Sequence, residues 1–366
     1  MYNIALIMKK LALLIPAHNE ELILAKTIRT AIQAGQSASD IFVVDDASSD
    51  KTFSIAKSLL GKQNVLKVRR SGKAIAVKKA LAKFDIVKRY RWIHIADADS
   101  LFGKNYFKIY KNALTKSKAV VAVGFVQSLR GNWISDYRAL SYSYGQHYIR
   151  RVQSALGMIT VFPGPTTSFK TSILSSIVYE SDSLTEDFDI TLQVHRKKLG
   201  KVQFIPKAVN YTQDPQTLTD FCRQTDRWFK GYFQGIMSHH IGRKTQRIDW
   251  AISYQLLESF IYLAQMFVFV PIFIAKTGNW LVIPVILAAD FVVMGLLAFT
   301  SSIIVRRLSI IGVLPYFYFL RWIELGIFVK TFVEVCVLKN MRKSSVGWST
   351  QGRRYRVDLS VQKDLK

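Results

Sequence analysis

An α/β domain with a largely parallel sheet, followed by a helical membrane-associated half, is the architecture this 366-residue chain predicts. Three observations point there. Between Leu11 and about Val126, short β-branched runs alternate with helical patterns, as strands joined by crossover helices do. Acidic residues stand directly after two of those runs, as Asp45-Asp46 and as Asp97-Ala98-Asp99, on the rim where open α/β sheets place their ligands. The second half carries apolar stretches that exceed the roughly 20 residues needed to cross a bilayer.

The strand-like runs are, in order, Leu11-Ala12-Leu13-Leu14-Ile15, Ile41-Phe42-Val43-Val44, Val65-Leu66-Lys67-Val68, Trp92-Ile93-His94-Ile95-Ala96 and Val120-Val121-Ala122-Val123. Between the first two, Leu24, Ile28, Ala31 and Ile32 make a helical stripe ending near Gly35, and Gly72 opens a second helix at Lys73. Trp133, Tyr137, Tyr144 and Tyr148 recur at helical spacing, a core stripe with acceptor binding as the alternative, and Phe162-Pro163-Gly164-Pro165 marks a turn. Trp228, Phe229, Tyr232, Phe233 and Ile236, interleaved with Arg223, Arg227 and Lys230, read as a helix in a membrane interface. Residues 252–275 and 280–305 read as two spans, with Arg243, Lys244 and Arg247 before them and Arg306 and Arg307 after them, so both flanks face the cytosol. Asp290 falls mid-span, facing either a partner or a wet cavity, or else neutral. Residues 310–338 carry Arg321, Glu324, Lys330 and Glu334. One continuous helix points those charges in opposed directions, so a broken or interfacial segment hinged near Gly326 is expected, not a third span. The resulting division is 1–215, 216–250, 251–308, 309–340 and a cytosolic tail at 341–366.

A formal net charge of +26 is compatible with nucleic acid, an anionic membrane surface or an anionic substrate. Beside such apolar segments the membrane and the substrate account for it, and no nucleic-acid partner is expected. Cys222 and Cys336 are the only cysteines; neither a disulfide framework nor a zinc site follows, which fits a reducing cytosol. Met1 to Met8 is apolar but short, with Lys9-Lys10 behind it, and does not read as a signal peptide. The histidines show no ligand spacing with carboxylates or cysteines.

Four motifs occur in fixed order: Ile15-Pro16-Ala17-His18-Asn19-Glu20, Asp97-Ala98-Asp99, Thr185-Glu186-Asp187 and Gln224-Thr225-Asp226-Arg227-Trp228. On a helix Gln224, Arg227 and Trp228 share one face, presenting an amide, a cation and an indole together. Singly each motif is weak; together they resemble the family 2 glycosyltransferases, in particular the membrane-embedded hyaluronan, chitin, cellulose and poly-N-acetylglucosamine synthases. The resemblance implies a cytosolic GT-A (Rossmann-like) domain followed by interfacial and transmembrane helices at the plasma membrane. It implies inverting transfer from a UDP-sugar, UDP-N-acetylglucosamine or UDP-glucose first, to extend a polysaccharide.

By the same resemblance, Asp187 in its Glu186-Asp187 pair is the catalytic base, with helix capping by Ser183 or Thr185 as a competing reading of that segment. Asp97 and Asp99 hold Mg2+ or Mn2+, whose charge suits carboxylate and phosphate oxygens. Glu20, Asp46, Asp45, Lys73, Asp97, Gln224, Arg227 and Trp228 contact the nucleotide-sugar, Asp46 before Asp45. Trp228, Gly164 and Pro165 meet the acceptor. Trp348-Ser349-Thr350-Gln351-Gly352-Arg353 resembles a gating loop in which Trp348 and Arg353 close over the donor. Expected partners are the UDP-sugar, a carbohydrate or lipid acceptor, membrane lipids, and a homo-oligomer or helper subunit supplying further helices. Two rivals remain: single transfer to a lipid such as a polyprenyl phosphate or ceramide, and a catalytically silent basic protein binding anionic lipid or nucleic acid.

Overall fold

The computed structural model describes residues 9–179, 183–243 and 245–340. The strands are β1 (Lys9–Ala17), β2 (Ile41–Asp46), β3 (Val65–Val68), β4 (Tyr90–Ile95), β5 (Leu101–Phe102), β6 (Ala119–Ser128), β7 (Thr167–Lys170) and β8 (Lys201–Thr212). The helices of the sheet domain are α1 (Leu24–Gln33), α2 (Thr52–Leu60), α3 (Lys73–Lys83), the single turn α4 (Ile86–Arg89), α5 (Tyr106–Lys116), α6 (Trp133–Ser143), α7 (Arg150–Ala155) and α8 (Glu186–Arg196). Beyond it come α9 (Leu218–Ser238), α10 (Arg247–Ala264), α11 (Val270–Thr277), α12 (Val282–Ile304) and α13 (Leu314–Phe332). A π-turn at Tyr144–Ile149 joins α6 to α7, another at Gln265–Phe269 joins α10 to α11, and a third at Val333–Val337 extends α13.

All strands lie in one sheet of order β3-β2-β1-β4-β7-β6-β8-β5. The expected parallel arrangement holds for β3-β2-β1-β4 and for β6 with β8. It fails between them, where β7 runs antiparallel to both β4 and β6, and at the β5 edge. β7 is only four residues long and enters the sheet from the Gly164 turn, after α6 and α7 have carried the chain away from β6. Alternate residues of β1 serve opposite faces. Ala12 and Leu14 pack with Phe42, Val44 and Ile93 under α3, whereas Leu11, Leu13 and Ile15 pack with Ile41, Val43 and Trp92 under α1 and α5. Both faces are thus covered, which explains the unbroken apolar runs seen in the sequence.

Among the described residues, three helical stretches are long and apolar enough to cross a membrane: Arg247–Thr277, Val282–Ile304 and Leu308–Val337. Their outer faces expose Trp250, Tyr254, Leu257, Phe267, Phe291, Val292 and Leu296, a continuous apolar surface that water would not tolerate. Both ends of the α10–α12 hairpin are tied to the sheet domain. Arg196 binds Asp249 at the start of α10 at 2.5 Å. Arg307, beyond the end of α12, is fully buried and pairs with Asp136 at 2.5 Å. Arg307 was read as a flanking membrane charge; it is instead an internal lock on α6, donating also to Ser128 O and to Ser135 Oγ.

The expectation of a break near Gly326 is corrected. Leu314–Phe332 is one helix with no interruption at Gly326, and two spans become three candidates. The opposed charges do not break it because protein faces it from both sides. Arg321 meets Asp290 of α12 at 3.5 Å and Glu324 meets Arg138 of α6 at 2.9 Å. On the other side Lys330 meets Asp226 at 2.8 Å and Glu334 meets Lys230, both of α9. Asp290 thereby has its partner.

Candidate active site

A cavity of about 900 Å³ opens at the carboxyl ends of β1 and β4 and is walled by α6, α8, α9, α10 and α13. On one side of it the sheet rim is assembled by backbone-fixed carboxylates. Asp46, buried at the end of β2, accepts from Ser71 N at 2.8 Å and Gly72 N at 2.9 Å, with Ser71 Oγ at 3.2 Å and Arg70 Nη1 at 3.3 Å. Those bonds hold the loop that starts α3. Gly72 has φ +81° with open space where a Cβ would stand, so its backbone conformation, not crowding, calls for glycine.

Lys73, the first residue of α3, consequently points into the cavity. Its Nζ lies 2.7 Å from Asp97 Oδ1 and 2.6 Å from Glu186 Oε1. One ammonium joins the start of α3, the end of β4 and the start of α8. Burial opposes its charge, but Asp97 and Glu186 outweigh burial and hold its pKa above the ordinary lysine value.

Asp187, the second residue of α8, accepts from the Phe188 backbone N–H at 2.8 Å. Burial first and the Glu186 charge second push its pKa up to about 6, against the pull of Lys73 and Arg227. A carboxylate with that value is poised to take a proton near neutral pH. The competing capping role does not form at Thr185: it occupies the N-cap position of α8 without a side-chain cap bond. Its methyl and hydroxyl pack instead against Gly231 of α9, where any Cβ would collide with them. Four residues on, a Cβ at Gly235 would stand 2.6 Å from the Phe188 ring. These two glycines let α9 lie directly on α8.

That contact brings Gln224, Arg227 and Trp228 into the cavity from a single face of α9. Arg227 Nη1 donates to Leu184 O at 3.3 Å, beside the Glu186-Asp187 pair. Sequence reasoning missed what holds this helix. Arg138 of α6, only 5% exposed, lies between Phe221 and Trp228 with its guanidinium carbon 4.4 and 4.8 Å from their rings. Its Nη2 donates to Thr225 Oγ1 at 2.9 Å and to Gln224 Oε1 at 3.4 Å, and its Nη1 to Glu324 Oε1. Tyr137 donates to the other Glu324 oxygen at 2.6 Å. The sequence signal was there in Glu324, an acid in an apolar helix that demands a cation.

Asp97, Asp99, Glu20, Lys73, Gly164, Pro165, Glu186, Asp187, Gln224, Arg227 and Trp228 therefore line one cavity, as the motifs implied. A Cβ at Gly164 would come within 3.1 Å of Lys73 Nζ and 3.3 Å of Asp97 Oδ2, so its backbone forms part of the floor. Asp45 and Asp46 are not in this lining. Asp46 is engaged by its own loop, and Asp45 accepts from Ser48 N at 3.1 Å with Lys67 at 3.7 Å. Trp348 and Arg353 lie outside the described residues. His94 is a core residue between Ser168 Oγ and Tyr106 OH, its pKa lowered by burial to about 3.

Among the described residues no group of three or more His, Cys, Asp or Glu side chains comes together to hold a metal. Asp97 and Asp99 nonetheless offer hard oxygens on the cavity wall. That fits Mg2+ or Mn2+, which commonly take one or two carboxylates and complete their shell with substrate phosphates and water.

The fold and this carboxylate-and-cation cavity define a sugar-transfer enzyme of GT-A type. The sequence description "Glycosyltransferase like family 2" matches residues 9–231, and the chain belongs to that family. It is 25% identical over 238 residues to "Probable glycosyltransferase YdaM" of Bacillus subtilis, covering 61% of this chain and 55% of the relative. It is 23% identical over 228 residues to the poly-beta-1,6-N-acetyl-D-glucosamine synthase of Staphylococcus epidermidis, covering 60% and 54%. The chain thus spans about half the length of the curated relatives it matches. A solved mannosyltransferase of Pyrobaculum calidifontis, in complex with GDP-mannose and Mn2+, shares the fold with a TM-score of 0.56 at 16% identity, covering 84% of this chain and 86% of that one.

Proposed function

We propose that the protein transfers a hexose from a nucleotide-sugar, with inversion, to an acceptor presented at the cytosolic face of the membrane, and that it extends a polysaccharide. The observation that carries this reading is the joining of Lys73, Asp97 and Glu186 beside Asp187, opposite Gln224, Arg227 and Trp228 in one cavity. The kinship with a poly-N-acetylglucosamine synthase favours UDP-N-acetylglucosamine, then UDP-glucose; the GDP-mannose bound by the structural neighbour makes GDP-mannose the control donor.

In the transfer, Asp187 takes the proton of an acceptor hydroxyl. That oxygen forms its bond to the anomeric carbon as the bond to the diphosphate breaks from the opposite face. The nucleoside diphosphate leaves with the electron pair. Lys73 and Arg227 supply positive charge where it departs, and Trp228 stacks on the acceptor sugar. Asp97 and Asp99 would hold Mg2+ or Mn2+, which neutralises developing charge on the leaving group. Glu20 contacts the donor directly. Asp46 acts on the nucleotide through the loop that carries Lys73, and Asp45 through the turn at Ser48 that it holds.

Transfer to a lipid is the second reading, favoured by the presence of Leu256 and Tyr262 of α10 and Leu325 and Phe328 of α13 in the same cavity wall. The test is release of nucleoside diphosphate by the purified protein in nanodiscs, over a panel of UDP-sugars and GDP-mannose with Mn2+ or Mg2+, with product sizing. A long product from one UDP-sugar is expected; a single extractable lipid product replaces polymerisation with the second reading. Failure to bind any nucleotide-sugar sinks both.

A further inference from the structure

We propose that Arg150, with Gln153 and Thr160 beside it, forms an oxyanion subsite that receives a phosphate carried by the acceptor. The proposal rests on the transferase reading above in its lipid-acceptor form and names the chemistry at the far wall of the same cavity.

The cations on this cavity differ in how their charge is balanced. Lys73 has two carboxylates, and Arg321 has Asp290. Arg138, behind Trp228, has Glu324. Arg150 lines the cavity too, yet among the described residues its hydrogen-bond partner is a neutral amide, Gln146 Oε1 at 2.7 Å. Its Nε is buried and makes no hydrogen bond. Burial pushes its pKa down to about 10, which still leaves it cationic at neutral pH. A guanidinium whose Nε is shut off from solvent, with no carboxylate paired to it among the described residues, is costly unless a ligand supplies a counter-charge.

The group is also built into place. Gln146 accepts from Val126 N at 2.8 Å and donates to Val126 O at 2.7 Å, so the amide that steadies Arg150 is bolted to β6. Arg150 directly follows the π-turn Tyr144–Ile149, a distortion that recurs at functional sites. Gln153 Nε2 donates to Thr160 Oγ1 at 3.1 Å, and both line the cavity. Gln153 stands one turn on from Arg150 in α7, so a guanidinium, an amide and a hydroxyl line the same cavity and match the oxygens of a phosphate.

The phosphate belongs to the acceptor because donor charge is met elsewhere, at the start of α3 and the end of β4. Arg150 stands on the α6–α7 side, in a cavity whose remaining wall comes from α10 and α13. A membrane-resident chain lying along those apolar helices brings its headgroup to Arg150.

The test is binding by the full chain in detergent, without donor, of a long-chain isoprenyl monophosphate against its parent alcohol, followed by tryptophan fluorescence. The monophosphate should bind about tenfold or more tighter, the effect of one charge-assisted hydrogen bond. Arg150→Gln should erase that preference and Arg150→Lys should keep part of it. Competition by inorganic phosphate would show that the oxyanion is recognised apart from the lipid chain, and its absence would show that the subsite needs the lipid. Equal binding of alcohol and monophosphate, or a preference untouched in Arg150→Gln, overturns the proposal. So does a loss in that variant of nucleotide-sugar binding alone, which would hand Arg150 to the donor. Donor binding to the unaltered protein with Mn2+ is read separately, so a failed transferase reading shows there and nowhere else.

Discussion

The rim at the ends of β1 and β4 and the wall formed by α6, α9 and α13 enclose the same cavity but are organised in different ways. On the rim, carboxylates are fixed by the strand ends and loops that carry them, and Lys73 ties Asp97 to Glu186. In the wall, Arg138 is the organiser: it threads between two aromatic rings and connects α6 and α9 to Glu324, in a helix apolar enough to cross a membrane. The rim is chemistry mounted on a rigid sheet, whereas the wall depends on helices far apart in sequence. Catalytic defects and assembly defects should therefore separate along that line.

The largest expected effect is on the rim. Asp187→Asn removes the proposed base and should reduce transfer by about 10²- to 10⁴-fold, with nucleotide-sugar binding and thermal stability retained. Because Asp187 works as a carboxylate and burial raises its pKa to about 6, the rate should fall as pH drops through about 6. Lys73 lowers that pKa, so in Lys73→Met the acid limb should move to higher pH whatever the residual rate. The same raised pKa acts on stability in the opposite direction. Folding favours the protonated form of Asp187, a contribution present below the ordinary carboxylate range and lost as pH rises through about 6. A limb that stays put in Lys73→Met would mean the rim residues do not share one electrostatic field.

Next comes the wall. Glu324→Gln leaves Arg138 enclosed and half-paired. Breaking a buried pair costs about 3–5 kcal/mol, and Glu324, being partly open to the cavity, should come in at or below the low end. Tm in detergent should drop and acceptor KM should rise through misplacement of Trp228 and Gln224, while the acid limb of the rate profile stays near 6. Restoring stability in the double variant Arg138→Gln/Glu324→Gln would show the penalty to be the stranded charge. Gly235→Ala tests the seam between rim and wall, since its Cβ would stand 2.6 Å from the Phe188 ring. Overpacking of this kind costs about 1–3 kcal/mol, and the shift of α9 away from α8 should lower kcat along with Tm. A neutral Gly235→Ala would mean that the two helices do not need this close approach.

The two regions were also unequally legible in the sequence. Asp97 and Asp99 follow their strand directly, so they could be placed on the rim from local pattern, whereas Lys73 and Glu20 were named by the family resemblance. Asp187 and the Gln224-Arg227-Trp228 face could be found as motifs, but not the glycines that bring them together, because Gly231 and Gly235 carry no signal except through what they touch. Arg138, one basic residue on an aromatic helix, carries no local signal of its own. Asp46 shows something different: it stands at the end of β2, and its carboxylate is taken up by Ser71 and Gly72, a use that no spacing rule reveals. The helix break expected near Gly326 followed correct reasoning about opposed charges from an isolated helix. The structure faces that helix with protein on both sides, and α13 runs on.

The smallest effect should come from the other ion pairs of α13, and it marks the limit of the comparison. Lys330 meets Asp226 at 2.8 Å and Glu334 at 3.7 Å, but its side chain is 56% exposed. Asp226 keeps Lys230 at 2.9 Å when Lys330 is lost. Exposed pairs contribute about 0–1 kcal/mol, so Lys330→Ala should leave Tm and acceptor KM within error of the unaltered protein at moderate salt. A loss as large as that of Glu324→Gln would mean that α13 is held on α9 by charge along its whole length. The wall would then be a single electrostatic seam, and Arg138 only its most enclosed member. A negligible loss leaves the wall resting on Arg138 and the packing around it.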